Sequence, residues 1–300
     1  MHLERIRIAE FRNLKNFEIS FVEGVDDPSV EGGRRTFNSH AVIGQNGTGK
    51  SNLIEAVITI FRDLDLNNVA SFAYELDYKV RSHSIEIRAK TGKRPSVVID
   101  GKTSTAGHLC EHSREYLPSH IFTYYSGKNE RVEQLFQAHQ RKFNQLLRQG
   151  KDDLVRRLFY CRGGHGKLVL LACLLSKDEV FARLLHDLNI VELDSALFVL
   201  KQPHYLKKEL GERDILEGDN RFWYARGTVV TEFLDKLWQL AVAPIDHTTS
   251  KLIDFRGRTE KQEQIFLFLP DKEALEKLGK TVGPPERFFR YAEGAYIGDL

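Results

Sequence analysis

Apolar and polar residues alternate with period two where the chain begins. Leu3, Ile6 and Ile8 are interleaved with Glu4, Arg5, Arg7 and Glu10. Alternation resumes at Phe17-Glu18-Ile19-Ser20-Phe21, after the turn-prone Arg12-Asn13-Leu14-Lys15-Asn16. Successive strand side chains point to opposite faces, so the two runs predict a β-hairpin. A polar, Gly-rich connection over Glu23 to Asn38 leads to a short predicted strand, His40 to Ile43. From Asn52 to Phe61 apolar residues occupy most of a helical circumference, as in a buried helix. Runs at Ser71 to Val80, His83 to Ala89 and Ser96 to Asp100 predict a three-stranded meander, broken by Arg81-Ser82 and Thr91-Gly92-Lys93-Arg94-Pro95. Asp100-Gly101 adds a further turn signal.

Further along, His120 to Tyr125 reads as a buried strand ending at Ser126-Gly127. Residues 130 to 148 predict one amphipathic helix with Val132, Leu135, Phe136, His139, Phe143, Leu146 and Leu147 on a single stripe. Leu168 to Leu185 and Phe222 to Leu240 predict helices, and Ala196 to Leu200 a strand. Two more strands are expected near Lys251 to Phe255 and Gln264 to Leu269, then a last short helix after Pro284-Pro285. No internal repeat or low-complexity tract is present. Arg148-Gln149-Gly150-Lys151-Asp152-Asp153 interrupts two helical patterns and places a domain boundary near residue 150.

The chemistry concentrates between the predicted strand and the predicted helix. Gly44-Gln45-Asn46-Gly47-Thr48-Gly49-Lys50-Ser51 matches Gly-x-x-x-x-Gly-Lys-Ser, the phosphate loop, a match that arises by chance about once in a hundred chains of this length. Glycines allow a tight turn that aims successive amides at an anion, and the helix starting near Lys50 adds its positive end. Lys50 is expected to reach the β- and γ-phosphates of ATP, and the Ser51 hydroxyl to ligate Mg²⁺. The bland reading is a Gly-rich turn that happens to end in Lys-Ser.

Ile8-Ala9-Glu10-Phe11-Arg12-Asn13-Leu14 upstream, and Gly44 to Ser51 followed by Asn52-Leu53-Ile54-Glu55-Ala56, resemble the head domain of the RecF and structural-maintenance-of-chromosomes ATPases, of ATP-binding-cassette type. The resemblance covers about the first sixty residues. Phe122-Thr123-Tyr124-Tyr125-Ser126-Gly127 and Ser195-Ala196-Leu197-Phe198-Val199-Leu200-Lys201 are similar to segments of bacterial AAA-family ATPases of restriction and anti-phage defence systems. The resemblance implies an α/β P-loop ATPase head over 1–150, with an N-terminal β-hairpin and meander, and an α/β insertion or lid over 151–300. It implies that Gly44, Gln45, Asn46, Gly47, Thr48, Gly49, Lys50, Ser51 and Asn52 bind ATP and Mg²⁺. Arg12 and Asn13 would lie near the ribose and phosphates, and an ordinary polar hairpin turn is the equal alternative. Ser126 begins the position of a metal-sensing loop, where a Gln is usual and none stands here. Implied partners are a second copy sandwiching ATP, a nuclease subunit and DNA, in repair or antiviral defence.

Such a head also needs a Ser-Gly-Gly signature and an apolar strand ending in Asp-Glu. Cys161-Arg162-Gly163-Gly164-His165-Gly166-Lys167 lacks the preceding Leu-Ser, and Leu197 to Leu200 runs into Lys201-Gln202. Glu192 and Asp194 follow no apolar strand, so the catalytic residues are unassigned. The ending Tyr291 to Leu300 has no polar tail, and the expectation is an N-terminal part of a longer ATPase; the alternative is a non-hydrolysing sensor or regulatory module. A small-molecule kinase fits less well, since nothing resembles a phosphoacceptor site.

Composition narrows little beyond this. With 44 basic and 42 acidic residues, the balance neither demands nor excludes nucleic acid. Cys110, Cys161 and Cys173 form no Cys-x-x-Cys pair, which suits a reducing cytosol, and no membrane segment is predicted. His108, Cys110 and His112, with His120, would share one face of a strand as a Zn²⁺ set, against a plain polar surface. His165 offers an acid/base or phosphate contact, against a surface turn. Basic and aromatic residues interleave at Lys207-Lys208, Arg213, Arg221-Phe222-Trp223-Tyr224-Ala225-Arg226 and Arg287-Phe288-Phe289-Arg290, a DNA-gripping pattern on Arg221 and Arg226 or else ordinary helix core and ends.

Overall fold

The computed structural model describes residues 1–21, 40–126, 130–148, 157–203, 212–252, 257 and 259–297. The expected connection over 23–38, Lys207-Lys208 and residues 149–153 of the expected boundary lie outside them. The chain is mixed α/β with antiparallel sheets and divides into two units, Met1–Ala138 with Val155–Tyr160, and His139–Leu154 with Cys161–Leu300. No helix among the described residues is long and apolar enough to cross a membrane.

In the first unit, β1 (His2–Phe11) and β2 (Leu14–Ser20) form the expected hairpin. After α1 (Lys50–Asp65) come β3 (Tyr74–Val80), β4 (His83–Ala89), β5 (Ser96–Ile99) and β6 (Lys102–Thr105). Hairpin and meander fuse into one six-stranded sheet of order β2-β1-β3-β4-β5-β6. Alternation puts Tyr74, Leu76, Tyr78 and Val80 of β3, and Ile85, Ile87 and Ala89 of β4, in the core. Leu53, Ala56, Ile60, Phe61 and Leu64 of α1 belong to that same cluster. Burial drives the Tyr78 phenol far above its ordinary pKa, and its hydroxyl donates to the Tyr116 carbonyl at 2.8 Å. On the other face Arg5 bridges three strands, through Asp77 (3.0 Å), Glu75 (2.9 Å) and Glu18 (3.2 Å).

Strand β6 is wholly polar, so no periodicity announced it. It exists because Asp100 (φ 50°) and Gly101 (φ 77°) make the tight turn that returns the chain alongside β5. Asp100 also accepts from Ser84 N at 2.9 Å and pairs with His83 Nδ1 at 2.7 Å. That hydrogen bond holds the His83 pKa above its ordinary value. A raised folded-state pKa gives stability that is complete below the unfolded value, about 6.5, and is lost as pH rises through the folded one. Expected, therefore, is a urea midpoint that falls across that window in the wild type, and a smaller fall in Asp100→Asn, where Glu115 still faces the ring.

The unit continues through α2 (Ala106–Glu111), α3 (Ser113–Tyr116), β7 (Ile121–Tyr124) and α4 (Arg131–Gln134). At the unit boundary α5 (Gln137–Arg148) begins, and β8 (Leu158–Cys161) pairs with β7. Three expectations are corrected here. Residues 40–43 form no strand and Ile43 is 92% exposed, because no neighbouring strand in the sheet order offers them hydrogen bonds. Phe122 and Tyr124 of β7 are 66% and 72% exposed, since a two-stranded sheet covers few faces. The single helix over 130–148 breaks at Leu135-Phe136, where 3₁₀-type bonds from Leu135 N to Val132 O and Phe136 N to Glu133 O tighten the backbone.

The second unit holds α6 (Gly163–Leu175), α7 (Glu179–Asp187), β9 (Ala196–Lys201), α8 (Glu212–Glu217), α9 (Asp235–Leu240), β10 (Val242–Leu252), β11 (Thr259–Leu269), α10 (Lys272–Val282) and α11 (Pro285–Ile297). Its sheet has the order β10-β11-β9. Leu200, Ile265, Leu267 and Leu269 share a core with Phe233, Leu278, Phe288 and Tyr291. The helix expected over 168–185 is two helices, because Asp178 caps the second by accepting from Val180 N at 2.8 Å. The helix expected from Phe222 begins later. Asp219 accepts from Arg221 N, and Trp223 and Tyr224 take left-handed φ of 53° and 62°, which no helix interior permits.

Candidate functional site

Gly44 to Ser51 sit where β1–β2 meets α1. Gly47 and Gly49 have φ of +87° and +104°, conformations that cost a residue with a Cβ dearly. Thr48 Oγ1 donates to Gln45 O at 2.8 Å and closes the loop on itself. A Cβ on Gly44 would lie 3.0 Å from that hydroxyl. Gly49 is the N-cap of α1, no side chain caps it, and the first turn holds no acidic residue. The 16-residue helix therefore presents its positive end to the loop. Lys50 folds back, its Nζ donating to Gly44 O (2.6 Å) and Gln45 O (2.8 Å), which brings the ammonium across the loop's own rim. Ser51 is exposed beside it.

Arg12, Asn13 and Asn52 are drawn to this loop. Arg12 takes φ 55° in the β1–β2 turn, which projects the turn at α1. Asn13 Nδ2 donates to Gly47 O at 2.8 Å, and Asn52 Nδ2 donates to Asn13 Oδ1 at 2.6 Å. The hairpin turn thus ties the middle of the loop to the first turn of the helix. Gln45, Asn46 and Thr48 are exposed along the rim.

Two neighbours were not singled out from the sequence. Glu55 is 1% exposed, and both Arg12 and Arg131 contact its carboxylate. Arg12 Nη1 touches Oε2 outside hydrogen-bonding geometry and bonds Asn52 Oδ1 at 3.3 Å. Arg131 donates through Nε to Glu55 Oε1 at 3.1 Å and through Nη2 to Asn52 Oδ1 at 3.0 Å. A charged residue within an otherwise apolar helical pattern was the available hint for Glu55. Arg131 lies 76 residues away in sequence, and nothing local points from it to the loop.

Other predicted groups disperse. His108, Cys110 and His112 lie on a short helix and the turn after it, not a strand, and Cys110 Sγ turns to Asp65 O at 3.4 Å. Helical spacing instead gathers His108, Glu111 and His112, all exposed, with ligand atoms within 4.8 Å of one another. His165 is buried rather than in a surface turn; its Nδ1 accepts from Arg162 N at 2.8 Å and its Nε2 lies 3.5 Å from Glu293. Arg221 is engaged by Asp219 and Asp235, both at 2.6 Å, and Arg226 by Glu217 at 3.2 Å. The two carboxylates push the Arg221 pKa still higher. Glu192 and Asp194 are exposed and outside any strand, while β9 ends at Lys201. Ser126 follows β7 in irregular backbone.

No protein-family model matches the chain, and no curated protein matches it. Among solved structures, it is similar to the recombination mediator protein RecF with ATP, at 16% identity and a TM-score of 0.28, covering 94% of this chain and 81% of that one. It is also similar to the RecF-ATPrS structure, at 14% identity and a TM-score of 0.27, covering 99% and 80%.

Proposed function

We propose that this chain binds ATP with Mg²⁺ at Gly44 to Ser51 and acts as an ATPase subunit of RecF/SMC-like type. The observation that carries the reading is Lys50 poised over a glycine-rich loop at an uncapped helix N-terminus. A polyphosphate offers Lys50 charged oxygens in place of two carbonyls, and offers the first α1 amides an acceptor they otherwise find in water. Mg²⁺ on the Ser51 hydroxyl would neutralise the phosphates and fix their orientation. The nucleotide would join two copies, and that change would pass to a nuclease partner in DNA repair or antiviral defence.

The reading is tested by titrating the purified chain with a fluorescent ATP analogue. Saturable binding is expected, weakened roughly ten- to a hundredfold when EDTA removes Mg²⁺, the loss corresponding to one or two charge-assisted contacts. Binding indifferent to Mg²⁺ would overturn the assignment of Ser51. Light scattering with a non-hydrolysable analogue reports the dimer: a mass that stays monomeric at saturation would remove the nucleotide-sandwich part.

A non-hydrolysing sensor is the second reading, favoured by the sequence, in which the apolar run Leu197 to Leu200 continues into Lys201-Gln202 rather than Asp-Glu. Phosphate release by the same preparation separates the two. Nucleotide binding with no turnover means a loop without its catalytic half, as a sensor or as part of a longer ATPase; turnover abolished by Lys50→Ala supports the ATPase.

A further inference from the structure

The contacts around Glu55 point one step beyond the loop itself. A buried carboxylate is costly unless paired, and Glu55, 1% exposed, meets two guanidinium groups. The arginines stay in reach of solvent, at 40% and 49% side-chain exposure. Among the described contacts, two guanidinium groups thus share one carboxylate beside the loop. Its position is set by α1: Asn52, which accepts from Arg131, follows Ser51 directly, and Glu55 lies one helical turn beyond Ser51. Mg²⁺ held by Ser51 would supply positive charge beside the terminal phosphates of a bound nucleotide. A cation held beside that serine stands at the terminal-phosphate end of a nucleotide, away from the base. Guanidinium forks match phosphate oxygens bidentately, which an ammonium does not.

We propose that Arg131 binds the terminal phosphate of a nucleoside triphosphate, with Glu55 as the positioning residue that presents it. The proposal rests on reading Gly44 to Ser51 as a phosphate loop. It also accounts for two arginines on one carboxylate. When Arg131 swings to phosphate, Arg12 stays on Glu55, so no bare charge is left buried.

The test compares ATP and ADP affinities of the full chain, with Mg²⁺ and fluorescent analogues, for the wild type, Arg131→Ala, Arg131→Lys, Glu55→Gln and Lys50→Ala. Arg131→Ala is expected to weaken ATP by about tenfold or more and ADP by less than about threefold, collapsing the preference for triphosphate. Arg131→Lys should restore part of the ATP affinity, since it keeps the charge and loses the fork. Glu55→Gln should lower the ATP-to-ADP preference while ADP binding persists, a split that simple loosening of α1 would not produce. Equal losses for ATP and ADP in Arg131→Ala, or none, would overturn the proposal. Absence of any Lys50-dependent binding in the wild type would remove the phosphate-loop reading and this inference with it. Lys50-dependent binding with a preference indifferent to Arg131 would remove this inference alone.

Discussion

Lys50→Ala is expected to weaken ATP binding about a hundredfold while leaving the fold in place. Its Nζ makes two hydrogen bonds, to Gly44 O and Gln45 O, both at the exposed rim. Losing them returns two carbonyls to water, which costs little stability. In the nucleotide complex the same ammonium would face phosphate oxygens beside a helix N-terminus, where charge-assisted bonds are worth about 1.5–3 kcal/mol. At about 1.4 kcal/mol per decade, the upper end is roughly two decades in affinity. Calorimetric titration with ATP, alongside a thermal melt, checks both halves. A Lys50→Ala protein that melts normally and binds ATP within about threefold of wild type would end the phosphate-loop reading.

The second large effect is expected at Gly49. Its φ of +104° excludes a side chain at low cost, and a Cβ there would lie 2.7 Å from Leu14 Cδ2 and 2.9 Å from Asn13 Oδ1. Neither neighbour yields freely. Leu14 is 4% exposed within the core cluster, and Asn13 Oδ1 accepts from Asn52. Backbone strain of about 1–3 kcal/mol and overpacking of a similar size give Gly49→Ala a loss of roughly 2–6 kcal/mol. Gly92→Ala is the control: φ is +72° and nothing lies within 4 Å of the added carbon, so the backbone part alone, about 1–2 kcal/mol, is expected. Urea unfolding of both variants measures the difference. Equal losses would show that the contact with the β1–β2 turn does not constrain the loop. Nucleotide affinity should fall in Gly49→Ala alone, because displacing Asn13 also releases its bond to Gly47 O.

Strand and helix periodicity carried the first unit well. The residues of β1 to β5 and of α1 bury one face by local rules, and a glycine-rich loop ending in Lys-Ser announces its chemistry in eight consecutive positions. Where the pattern misled, a non-local partner decided the outcome. Ala41-Val42-Ile43 is apolar enough for a strand, but a strand exists only beside another, and the six-stranded sheet closes without it. Residues 222–227 carry helix-like apolar spacing, yet Asp219 captures the backbone first. His108 and His112 share a helical edge with Glu111 and exclude Cys110, since the chain there is helical and not extended.

By itself, then, the sequence determined the β1–β2 hairpin, the β3–β5 meander and the helix α1, because each follows from contacts within a few residues, and it marked Gly44 to Ser51 as the candidate phosphate loop. Only the tertiary structure decided that Arg12 and Arg131 converge on Glu55, and that Asn13 braces Gly47. Those contacts join residues 34 to 76 positions apart. A buried carboxylate selects its cations by proximity in the folded chain, and no local pattern records that choice.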